Sequence, residues 1–88
     1  MNIEFAQQAL MDRHAEVELY QFNIDNYKKA IEEIDQYYSE RRGMKEFRDS
    51  LKDLLESSET EQLKAIIIRD VIAKQLTEET EQWASMFY

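Results

Sequence analysis

Ile3, Leu10, Val17, Ile24, Ile31 and Tyr38 recur every seven residues, and three places after each stand Ala6, Arg13, Tyr20, Tyr27, Ile34 and Arg41. Four of that second set are apolar or aromatic, and Phe22, Ala30 and Tyr37 widen the stripe. Spacings of three and four held in one phase over about six heptads mark a helix that packs along a seam. The pattern predicts one long helix over about 2–42, roughly 60 Å at 1.5 Å per residue. A helix of that length needs cover from the rest of the chain and from another copy, or else it bends. The candidate bend is Asn23-Ile24-Asp25-Asn26, whose polar side chains compete for backbone hydrogen bonds.

Arg41, Arg42 and Gly43 then read as a helix end, with cations facing the negative end of the helix dipole and a glycine free to take the left-handed cap. Met44, Phe47, Leu51, Leu54, Leu55 and Ser58 follow at three-and-four spacing and predict a second helix over about 44–57 that folds back on the first. Ser58 with Glu61 forms a capping-box pattern ahead of an apolar run, so a third helix is expected over about 59–76. Its Leu63, Ile66, Ile67, Val71, Ile72 and Leu76 cover more than one face, which makes it the candidate central element of the core. Ala65-Ile66-Ile67-Ile68 also admits a strand, though no partner strand is evident. Beyond Leu76 the helix either continues to about 87 or restarts at Thr77-Glu78-Glu79-Thr80.

The expected architecture is a single all-α domain over 1–88, of three or four helices. It is expected to form a helical-bundle homodimer or higher oligomer along the seam of Leu10, Val17, Ile24, Ile31 and Tyr38. The apolar Trp83, Met86, Phe87 and Tyr88 are expected to dock on their own core or on another chain.

Composition sharpens this picture by exclusion. The 88 residues include no cysteine, no proline and one glycine, which removes disulfides, sulfur-bound zinc, sandwiches, barrels and glycine-rich phosphate loops. The formal charge of −8 repels phosphodiester backbones and acidic lipids, so duplex nucleic acid and membranes are not the expected partners. Met1-Asn2-Ile3-Glu4-Phe5 has neither a basic nor a long apolar leader, and a soluble, cytoplasmic protein is expected.

Candidate chemistry is sparse. His14, the sole histidine, has Glu18 one turn away, but two ligands do not make a metal site. The position three before His14 is Met11, so the Glu-x-x-His pattern of di-iron bundles is missing. No serine or threonine has a local base, and a thin helical domain offers little room to shift a carboxylate, so no enzyme, catalytic residue, metal or cofactor is expected. Arg13 stands at a seam position, where it either sets register or snorkels outward.

Two surfaces remain. Arg41, Arg42, Lys45, Arg48 and Lys52 cluster around the start of the second helix with Tyr37 and Tyr38 upstream. That arrangement suits a phosphate or nucleotide, or else simply pairs with nearby carboxylates. Asp53, Glu56, Glu59 and Glu61, then Glu78, Glu79 and Glu81, and Glu32, Glu33 and Asp35, form acidic faces for a protein partner with a basic or nucleic-acid-binding surface. In size and charge the chain resembles the small acidic proteins with which bacteriophages disable host proteins, including anti-restriction and anti-CRISPR inhibitors. The resemblance implies an inhibitor of a host protein, for which mimicry of DNA by carboxylates on helix faces is one mechanism, and it assigns no residue. The leading expectation is thus a non-enzymatic module that inhibits or regulates a nucleic-acid-binding protein. The alternatives are a nucleotide- or anion-sequestering oligomer built on the basic turn, and a structural assembly adaptor.

Overall fold

The computed structural model describes the backbone of residues 2–87 and the side chains of residues 2–79. Helix α1 spans Ile3–Glu33, a π turn follows over Ile34–Tyr38, and helix α2 spans Met44–Phe87. The two helices lie antiparallel in a rod of 69 × 16 × 15 Å.

Asn2 starts α1 by accepting a hydrogen bond from the Phe5 N–H at 3.1 Å, which satisfies one of the helix's orphan donors. The helix then runs unbroken through the candidate bend. Asn26 donates to the Phe22 carbonyl at 2.8 Å, and Gln21 donates to Asp25 at 3.0 Å, so these polar side chains are satisfied along the helix without interrupting it. The π turn inserts extra chain into the heptad phase, and Tyr38, next in the seven-residue series, leaves the seam and is 42% exposed. The reversal closes with Arg41 N–H to Tyr38 O and Met44 N–H to Arg41 O. Gly43 sits at φ +83, a conformation that side chains bearing a Cβ resist. The expected turn at Gly43 is therefore present, while the first helix is shorter than 2–42.

Positions spaced alternately by four and three are buried or half-buried from Ala6 to Ile34 on α1 and from Met44 to Glu79 on α2. This is the packing register of a two-stranded antiparallel coiled coil. Among the described residues the buried ones are Ala6, Ile24, Ile34, Leu51 and Ala65, a single thin layer. Each of the three larger ones contributes about 1.5–3 kcal/mol by burial.

The expectation of three or four helices is corrected to two. Residues 44–57 and 59–76 belong to one continuous helix, which also passes through Thr77 without restarting. Ser58 caps nothing, because it occupies a half-buried seam position facing α1. The expected central element is also corrected. Leu63, Ile67 and Val71 are exposed, and Ala65 is the residue buried there. Phe47 and Leu54 likewise face solvent, while Arg48 and Leu55 take the seam. The strand alternative at Ala65–Ile68 gives way to helix. Among the described residues no helix is long and apolar enough to cross a membrane.

Candidate interaction surfaces

Glu46, Asp49, Asp53 and Glu56 follow one another at three-and-four spacing on the side of α2 turned away from α1, and Glu59 stands three residues further on. All five are exposed and none forms an ion pair. At 1.5 Å rise per residue, this places a carboxylate about every 5 Å along some 20 Å of straight helix. Asp53, Glu56 and Glu59 were anticipated from the sequence. Glu46 and Asp49 were not, because the neighbouring Arg48 and Lys45 mark that stretch as basic until the helical phase separates them. Glu61 is half-buried, and Lys64 donates to its carboxylate at 2.8 Å. Glu78 is exposed, Glu79 is half-buried at the seam, and the Glu81 side chain lies outside the described residues.

The basic turn is largely occupied by its own neighbours. Arg48 donates through Nε and Nη2 to the two oxygens of Asp35, at 2.6 and 2.9 Å, and this fork ties α2 to the π turn. The hydrogen bond holds the Asp35 carboxyl below its ordinary range and raises the Arg48 guanidinium above its own. Arg41 lies over the Tyr38 ring, 5.6 Å from its centroid, and Tyr37 meets Tyr38 edge-on at 6.4 Å. Arg42 and Lys45 remain exposed. Glu32 and Glu33 are exposed on α1, apart from this cluster in ion pairing.

Of the seam residues, Leu10, Val17, Ile24 and Ile31 face α2 of the same chain, so the expected oligomer seam is filled intramolecularly. Gln62 closes it at mid-length, donating to the Val17 carbonyl at 3.2 Å and to Gln21 at 2.9 Å. Arg13 is drawn into the seam, pairs with Glu16 at 3.0 Å and leaves its buried Nε without a partner. His14 and Glu18 do meet, at 3.2 Å. Among the described residues, however, no group of three potential ligands comes together. The aromatic and methionine side chains at Trp83, Met86, Phe87 and Tyr88 lie outside the described residues.

Sequence reasoning also missed a set of exposed apolar side chains that includes Phe5, Leu19, Phe22, Ile67 and Ile68. Each falls off the four-and-three register of its own helix, and which of them share a side shows only when the two helices are set in register. Compared with known protein families, with curated protein sequences and with solved structures, the chain matches none of them.

Proposed function

We propose that this chain is a non-enzymatic interaction module that binds a basic, nucleic-acid-binding protein and inhibits or regulates it through the outer face of α2. The observation that carries the reading is the exposed run Glu46, Asp49, Asp53, Glu56, free of ion pairs along a straight helix. Carboxylates about 5 Å apart approximate the charge density that a nucleic-acid groove is built to receive, about one phosphate per 3.4 Å of each strand. Such a contact associates fast, weakens with salt, and excludes nucleic acid by competition. An inhibitor of host defence of the kind phages make fits this chemistry, and the expected homo-oligomer would present two such faces. Sequestration of a nucleotide at the basic turn is less well supported, since Asp35 holds Arg48 and Tyr38 holds Arg41.

The test compares the wild-type hairpin with a variant carrying Asp49→Asn, Asp53→Asn and Glu56→Gln, both immobilised and exposed to the heparin-binding proteins of the host lysate. The expected result is a protein retained by the wild type, lost with the variant, and displaced by duplex DNA. Equal retention by both, or retention indifferent to DNA, contradicts the reading.

A further inference from the structure

We infer that a second copy of this chain packs along one long side of the hairpin, the side lined by Phe5 and Leu19 of α1 and by Phe47, Leu54, Ile68 and Val71 of α2, to form a four-helix bundle. The two sides of the hairpin are distinguished by the bonds that cross it. Asp35 to Arg48 and Gln21 to Gln62 each join an α1 position that flanks the seam to an α2 seam position on the same side, and His14 and Arg69 occupy the corresponding phases further along. Leu19 lies two residues before Gln21, and Leu54 and Ile68 lie one residue before Leu55 and Arg69. These steps carry their side chains to the opposite flank. One side is thus cross-linked by polar groups and exposes Met11 and Leu63, while the other carries six large apolar side chains that are between 47% and 75% exposed.

Two of the polar interruptions near the middle of the apolar side already have partners, while Glu33 and Glu78 stand exposed toward its two ends. Glu61, in the same phase as Leu54 and Ile68, is paired with Lys64. Asp12, in the same phase as Leu19, accepts from Gln8 at 2.9 Å. From Phe47 near the turn to Phe5 at the open end the six side chains span about 45 Å at 1.5 Å per residue, and the rod is 15 Å wide, a footprint of roughly 700 Å² per copy, within the roughly 600–1,000 Å² per partner of a standard stable interface. A chain of this size with one thin core layer and no cysteine also lacks the staples that small domains use in place of a partner, and a second copy supplies the missing core. This differs from the seam-built oligomer that the sequence suggests, and it is independent of the acidic face of α2.

Sedimentation equilibrium of the full chain across the micromolar range should give about twice the 10.6 kDa chain mass. Leu54→Glu combined with Ile68→Glu should weaken association by about a hundredfold or more. Phe22→Glu combined with Ile67→Glu, more exposed but turned away from that side, should leave it within a few fold. Because charged variants can lose helicity, nitroxide labels on otherwise wild-type chains give a second reading. Labels at Ser57→Cys, beside the apolar side near mid-length, should couple between copies more strongly than labels at Asp53→Cys on the outer face. A single-chain mass throughout, dissociation by Phe22→Glu with Ile67→Glu, or stronger coupling at position 53 overturns the proposal.

Discussion

The half of the rod near the turn and the half near its open end share one packing register and fill it in opposite ways. Near the turn, Ile24, Ile34 and Leu51 are buried and the Arg48–Asp35 fork clamps the helices. Toward the open end the buried residues among those described are Ala6 and Ala65, and the seam also holds Arg13 and Arg69, with Gln62 at mid-length. Exposure is reversed to match. Among the described residues, eight of the thirteen exposed large apolar side chains, from Ile3 to Leu19 on α1 and from Leu63 to Val71 on α2, lie on the open side of the Gln21–Gln62 bond. A helix that is apolar away from its own seam is one that expects further neighbours. The turn half therefore holds itself together, and the open half depends on contacts from outside the hairpin.

The largest effect should come from truncating the turn-half core. Leu51→Ala is expected to cost about 2–4 kcal/mol, against under about 1 kcal/mol for Leu63→Ala in a dilute sample. Urea unfolding checks both, and equal losses would erase the contrast. Arg69→Leu, which puts an aliphatic side chain where the open-half seam now holds a guanidinium paired only with its neighbour Asp70, should raise the stability by about 1–2 kcal/mol and narrow the difference. The smallest effect is on the clamp. Asp35 is held below its ordinary carboxyl range in the folded chain, so its contribution is fully present above the unfolded value and is lost as pH falls through the folded one. Asp35→Asn should accordingly remove part of the fall in melting temperature between neutral and strongly acidic pH, and its screening in solvent keeps the change modest. Melting curves at the two pH values measure it.

Much of the turn half is legible in the sequence because its pattern and its packing agree. The α1 heptads name Ile24 and Ile34, and Gly43 names the turn. The open half misleads because Leu63, Ile66, Ile67 and Ile68 outweigh, in any hydrophobic reading, the real seam of Ser58, Gln62, Ala65 and Arg69. A short apolar run next to Ser58 and Glu61 reads as the start of a new helix. Only the matched length of α1 across the hairpin makes continuity necessary. The π turn over Ile34–Tyr38 left no sequence signal of its own. The acidic face was partly legible, from Asp53 onward, and the apolar side not at all, since it appears only when two helices are set in register.

The most direct measurement is residue-resolved amide hydrogen exchange on the full chain at low and high concentration. In dilute solution the amides around Ile24, Ile34 and Leu51 should be protected at least about tenfold more than those around Ala6, Arg13, Ala65 and Arg69, and raising the concentration should close much of that gap. Equal protection of the two halves, unchanged by concentration, would contradict the account.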